Sequence, residues 1–226
     1  PTADTVVSVS DGIRAEMSNL LHVTPDNVVT IHNPVDIETV QNRMTAPVDH
    51  PWLIDHTVPV ILAVGRLTTQ KDYQTLLDAF ARLRQARPAR LIILGEGEEE
   101  AQLVARAGDL GVVNDVSFAG FQENPFAFMA RCDLYVMSSA WEGFPNALVQ
   151  AMACGARVVS TNCPTGPDEI LDHGRWGALV PVGDSAALAA AMAESLDDPT
   201  PPDVLMRVQE FRSDIAIGSY LRTLLP

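Results

Sequence analysis

The residues best placed to do chemistry fall in two short stretches. Arg66 and Lys71 stand five positions apart in Gly65-Arg66-Leu67-Thr68-Thr69-Gln70-Lys71-Asp72, directly after the apolar run Val58 to Val64. Two cations fixed at a strand end suit a diphosphate, the guanidinium gripping two oxygens and the ammonium acting as a point charge. A pair of solvated loop charges is the ordinary alternative, and spacing alone leaves both open. The second stretch is Ser138-Ser139-Ala140-Trp141-Glu142-Gly143-Phe144-Pro145-Asn146-Ala147, running on through Gln150 to Cys154-Gly155. Pro145 suits a first helical turn, where its missing N–H has no partner anyway. The free N–H groups of Asn146 and Ala147 would then face a crevice as an anion site. Glu142 is a carboxylate beside that anion site, a pairing that makes sense if it binds something else, such as sugar hydroxyls. Gln150 lies eight positions on and could face the same crevice. It cannot ionise, so a paired-carboxylate hydrolase is excluded for these two.

Other candidates are weaker. Gly95-Glu96-Gly97 has two glycines of a dinucleotide loop, but Glu98, Glu99 and Glu100 follow where a pyrophosphate would sit and no third glycine fits. Carboxylates at a helix N-terminus are the better reading. His22, His32, His50, His56 and His173 are scattered with no acidic partner spacing, and Asp-x-Asp is absent, so no metal site is expected. Neither a nucleophile elbow nor a P-loop pattern occurs. Trp141, Phe121 and Phe126 could stack on a base, although core packing is the default for aromatics near strand ends.

Bulk properties narrow the class. The chain has 226 residues, 47% of them hydrophobic, and a formal net charge of −14. A nucleic-acid partner is therefore not expected. Apolar runs such as Val60 to Val64 are far too short to span a bilayer. Cys132, Cys154 and Cys163 have no C-x-x-C spacing and read as buried free thiols in a reducing, cytoplasmic compartment.

The elements that must position these groups alternate between strand and helix. Strands are expected at Thr5 to Val9, Val28 to Ile31, 58–64, Leu91 to Leu94, Val116 to Phe118, Leu134 to Met137, Val158-Val159 and Ala178 to Val180. Asp11 caps a helix to about Leu21, and Asp184 caps one carrying Leu188, Met192 and Leu196. Residues 1–36 form the start of the domain, 37–57 a polar surface loop, 58–198 the ligand-binding body, and 203–226 a terminal helical segment. The alternation predicts an α/β fold with a Rossmann-like doubly wound parallel sheet, a class that names no function by itself.

Taken in order, these motifs resemble the second domain of the retaining GT-B glycosyltransferases, in the family that includes bacterial polysaccharide and lipopolysaccharide transferases. The resemblance rests on Asn33-Pro34-Val35-Asp36, Gly65 to Lys71, Leu94-Gly95-Glu96-Gly97, Gly120 to Pro125, Glu142 to Gly155, Asn162 to Leu171 and Phe211 to Leu221. It implies the C-terminal half of a GT-B fold and transfer of a sugar from a nucleoside diphosphate donor, leaning to UDP, onto a glycan or lipid-linked acceptor. It implies that Arg66 and Lys71 bind the donor diphosphate, with Gly65 in the same loop. Glu142 corresponds to the first acid of the family's Glu-x7-Glu motif, which holds the donor sugar. Main-chain groups of Gly143, Phe144, Pro145, Asn146 and Ala147 would meet the sugar or its phosphate, and the loop at Phe121 would hold the base. Gln150 departs from the pattern, standing where the second acid commonly binds the ribose. No metal or other cofactor is implied. An acceptor-binding N-terminal domain of similar size is expected to face the crevice, with 203–226 packing back onto it. Membrane contact is not expected from this half, though the intact enzyme could sit at the inner membrane face. Two other readings stay open: a nucleotide-sugar epimerase or phosphorylase of the same fold, and a non-catalytic nucleotide-binding module.

Overall fold

The computed structural model describes residues 4–20 and 27–225, and the side chains of 18–20 are not described. The expected end of the first helix at Leu21, and His22, lie outside the described residues.

Short runs of mostly apolar residues form a six-stranded, wholly parallel sheet. In chain order its strands are β3 (Val60–Val64), β4 (Arg90–Leu94), β5 (Val116–Phe118), β6 (Leu134–Met137), β7 (Val158–Thr161) and β8 (Ala178–Val180). Spatially they run β5-β4-β3-β6-β7-β8. Both faces are buried, as continuous apolar strands require. Leu62, Ile92, Tyr135 and Met137 point into one core with α6 (Pro125–Met129) and α7 (Asn146–Ala153). Ile61, Ala63, Ile93 and Val136 point into the other with α4 (Tyr73–Ala86), α5 (Glu100–Asp109) and α9 (Ser185–Asp197). The predicted doubly wound parallel sheet is the one observed. Two strands stand apart from it: β1 (Val6–Ser8) and β2 (Val28–Thr30) pair with each other in a separate parallel ribbon. Helix α1 (Asp11–Leu20) follows β1.

Residues 37–57 correct the sequence reading. They carry α2 (Ile37–Met44) and α3 (Pro51–Ile54) rather than a surface loop. Asp36 caps α2 by accepting the Thr39 N–H at 3.0 Å and the Thr39 hydroxyl at 2.7 Å. Those bonds hold its carboxyl below the usual range, the backbone N–H being the largest cause. Ile37, Val40 and Met44 recur at helical spacing, and Val40 is buried while Val48, Trp52 and Leu53 pack against the core. Their polar neighbours obscure this stripe in a composition reading.

The terminal segment is also more broken than expected. It splits into α8-contacting helix α10 (Val204–Val208), a short 3-10 turn at Gln209–Phe211, and α11 (Ser213–Leu224); α8 is Pro167–Ile170. Arg207 donates to the carbonyls of Ile170 at 2.9 Å and Glu169 at 2.5 Å. Val35 N–H donates to Phe211 O at 2.8 Å, so the chain folds back onto its early part there. Beyond it α11 leaves Ile217, Leu221 and Leu224 exposed.

Candidate functional site

The spatial strand order reverses direction between β3 and β6, the place where doubly wound sheets open a crevice outside their carboxyl ends. The 65–72 loop leaves β3 and the 138–145 loop leaves β6, so the two candidate stretches face each other across this crevice. Pairing of Ile61 with Leu134 and Leu62 with Tyr135 sets the two strand ends level.

Main-chain bonds then tie the loops together. Ala140 N–H donates to Gln70 O at 2.8 Å, and the Ser138 hydroxyl to Lys71 O at 2.7 Å. On the other side Gly65 N–H donates to Leu94 O and Leu67 N–H to Glu96 O, both at 2.9 Å. Gly95 makes this possible: at φ +136 a Cβ there would lie 2.0 Å from Gly65 O. The Gly95-Glu96-Gly97 turn is therefore a close-packing device. Its acids work locally, Glu99 accepting the Thr69 hydroxyl at 2.9 Å and Glu100 sitting in the first turn of α5.

The centre of the site is an ion pair. Lys71 Nζ lies 2.5 Å from Glu142 Oε1, with 19% of the lysine side chain and 8% of the glutamate side chain exposed. The Ser139 hydroxyl donates to the same Oε1 at 2.7 Å. Gln70 Nε2 donates to Trp141 O at 2.9 Å and reaches Glu142 Oε2 only at 3.5 Å. The Thr165 hydroxyl donates to the Glu142 carbonyl, and the Thr161 hydroxyl to Ser139 O at 2.6 Å. Gly65 leaves room for the lysine stem, since a Cβ there would meet Lys71 Cε at 3.0 Å. Asp72 follows in the left-handed region at φ 45 and caps α4, accepting the Thr75 N–H at 3.2 Å and its hydroxyl at 2.7 Å. That strained residue fixes where Lys71 leaves the loop. Tyr73 donates to Gly65 O at 3.2 Å, and burial, then the Glu142 charge, push its phenol up.

The remaining predicted residues make no side-chain bond to this pair among the described residues. Arg66 is exposed and makes no ion pair among the described residues. Phe121 is 71% exposed, its N–H 3.4 Å from Glu96 Oε1, and Trp141 is half-exposed. Phe126 is buried in the core beneath Arg43. Gly143 lies against Ile13 of α1. Phe144 is buried, stacked 5.3 Å from His32 and 5.7 Å from Phe211, so only its main chain is available to a ligand. Pro145 is the cap residue rather than part of the first turn, and α7 begins at exposed Asn146 followed by Ala147, with no side chain capping its N-terminus. Gln150 is half-buried and its amide hydrogen-bonds no described residue.

Ser139, Gln70 and Thr165 were not singled out for roles in the sequence, because serine, glutamine and threonine carry no spacing signal of their own. The structure also gathers Asp11, His32 and Glu169, whose ligand atoms lie within 4.8 Å of one another. His32 Nε2 is 3.1 Å from Glu169 Oε2 across 137 residues, a partnership no local spacing announces. Burial pushes the thiol of Cys154 up to about 12 and that of Cys163 to about 11, and raises that of Cys132 as well. Burial thus favours the neutral thiol at all three positions.

These features define a Rossmann-like α/β domain with the Lys71–Glu142 ion pair at the switch point of its sheet. Comparison with known proteins names the family. Residues 48–211 match the family model described as "Glycosyl transferases group 1", and the chain belongs to that family. It is 30% identical over 198 residues to the N-acetylgalactosamine-N,N'-diacetylbacillosaminyl-diphospho-undecaprenol 4-alpha-N-acetylgalactosaminyltransferase of Campylobacter jejuni, covering 88% of this chain and 52% of that protein. It is 35% identical over 164 residues to the lipopolysaccharide core biosynthesis glycosyltransferase LpsE of Rhizobium meliloti, covering 73% and 46%. Among solved structures, Anabaena HepE in complex with UDP and glucose superposes with a TM-score of 0.85 at 27% identity, over 98% of this chain and 63% of that one. The chain thus spans about half the length of these curated relatives. Among the described residues no helix is long and apolar enough to cross a membrane.

Proposed function

We propose that this chain is the donor-binding half of a retaining glycosyltransferase that takes a sugar from a nucleoside diphosphate and passes it to a glycan or lipid-linked acceptor. The observation that carries this reading is the Lys71–Glu142 pair at the switch point, a cation and a carboxylate held together where an anionic sugar donor needs both. An ammonium has three N–H donors; one is used on Glu142, and the others are available to the diphosphate. Exposed Arg66 adds a second cation, and the uncapped N-terminus of α7 adds main-chain donors. Together they stabilise the negative charge that grows on the departing diphosphate, so the arrangement uses no metal. Glu142 accepts from the sugar hydroxyls. Phe121 offers an apolar face to the base, and Gln150 an amide oxygen to one ribose hydroxyl. The HepE structure that this chain superposes on is described as a complex with UDP and glucose, which supports a uridine donor. The acceptor and part of the catalytic machinery belong to a facing domain, and the intact enzyme works in the cytoplasm or at the inner membrane face.

Calorimetric titration of the 226-residue chain with UDP, GDP and ADP tests the reading. UDP binds, Arg66→Ala weakens it by about tenfold or more, the worth of a charge-assisted hydrogen bond, and the chain alone turns over little donor. Binding of none of the three nucleotides overturns it.

A further inference from the structure

Glu142 does not present its two oxygens equally. Oε1 is doubly engaged, by Lys71 Nζ at 2.5 Å and by the Ser139 hydroxyl at 2.7 Å. Oε2 has only Gln70 Nε2 at 3.5 Å, beyond a good hydrogen bond. Ser139 is wholly buried, and its hydroxyl has no described partner besides Glu142. Its main chain cannot drift, because Ser139 O accepts the Thr161 hydroxyl and the following Ala140 N–H is bonded to Gln70 O. The neighbouring Ser138 points the other way, as successive side chains leaving a strand do, and holds the main chain of Lys71. Two adjacent serines therefore register the two halves of the site, one through the lysine backbone and one through the glutamate carboxylate.

We propose that Ser139 is a positioning residue for the donor sugar: by occupying Glu142 Oε1 together with Lys71, it turns Oε2 outward as the single oxygen that accepts a sugar hydroxyl. This rests on the donor reading above and deepens it. Without the Ser139 hydroxyl the carboxylate rotates about its last torsion, which is broad and two-fold, and both oxygens crowd toward Lys71. The sugar loses a pre-oriented acceptor, whereas the diphosphate and base keep their own contacts.

The test measures affinities of UDP and UDP-glucose for the chain by calorimetry and follows their ratio. In Ser139→Ala the ratio moves against UDP-glucose by about tenfold, the worth of one hydrogen bond to a charged group. A purely structural role would weaken both probes together and leave the ratio where it was. Ser139→Cys keeps the volume with only a weak donor, and moves the ratio the same way should the alanine variant fold poorly. In a Glu142→Ala background Ser139→Ala changes the ratio no further, because the group it positions is gone. If Glu142→Ala moves the ratio and the Ser139 variants do not, the positioning role falls and the donor reading stands. If the unsubstituted chain binds neither probe, or Glu142→Ala leaves the ratio unmoved, the role of Glu142 falls and this inference with it.

Discussion

Lys71→Met gives the sharpest test of the site's electrostatics. Methionine keeps the apolar stem that packs over Gly65 and removes only the charge. What remains is the Glu142 carboxylate, 8% exposed, with its cation gone. Removing one member of a buried pair costs about 3–5 kcal/mol, since the survivor is an uncompensated charge. Here the cost sits at about 3 kcal/mol, because the Ser139 hydroxyl still donates to Oε1. For a domain of this length that lowers Tm by about 6–12 °C. Glu142→Gln costs less, about 1–2 kcal/mol, because the Lys71 ammonium can extend to water along its flexible stem. The double variant, with neither charge, returns to within about 1 kcal/mol of the parent. A double-mutant cycle by urea unfolding, followed by tryptophan fluorescence and circular dichroism, therefore reads a coupling of about 3 kcal/mol or more. Purely additive losses, or a Lys71→Met variant as stable as the parent, would refute the burial argument.

Three further outcomes follow from particular residues. Tyr135 is fully buried and its hydroxyl finds no partner among the described residues, so Tyr135→Phe leaves stability unchanged or raises it by about 1 kcal/mol in the same unfolding assay; a clear loss would show that the hydroxyl is satisfied. His50 accepts the Trp52 N–H at Nδ1 and faces Ser117 Oγ from Nε2, so it is held neutral, and burial and then Arg90 lower its pKa. Its folded value lies below the unfolded one of about 6.5, so the unfolded chain takes the proton more readily and stability falls as pH drops through about 6.5. The fall in urea midpoint between pH 7.5 and 5.5 is smaller in His50→Gln, and equal falls would sink the assignment. Gln150→Glu adds a charge-assisted hydrogen bond to the ribose and tightens UDP binding by about three- to tenfold; unchanged or weaker calorimetric affinity would remove Gln150 from the ribose contact.

Much of the fold was legible in the sequence because its strands are short, unbroken apolar runs between turn residues. Val60–Val64, Leu134–Met137 and Val158–Val159 are buried on both faces, and that burial is what their composition records. Where burial is partial the signal fades. The stripe Ile37, Val40 and Met44 lies among charged and amide side chains, so α2 read as loop. The terminal segment read as helical without its internal break, because nothing local marks Arg212, which leaves helical geometry at ψ 148 where its segment pairs with Val35.

The candidate site divides the same way. Arg66, Lys71, Glu142 and Gln150 could be chosen from residue type and motif order alone, since charge and spacing are local properties. Whether Lys71 and Glu142 touch could not, because they sit 71 positions apart on loops that meet only through the reversal of strand order between β3 and β6. Ser139 was present in the motif, yet its hydroxyl acquires a task only once the Thr161 and Gln70 contacts fix its backbone. The sequence by itself determined the class of fold and singled out the charged groups of the candidate site. Only the tertiary structure decided which carboxylate oxygen is engaged and which is open, since that depends on two side chains, Lys71 and Ser139, converging on one atom to within hydrogen-bond distance.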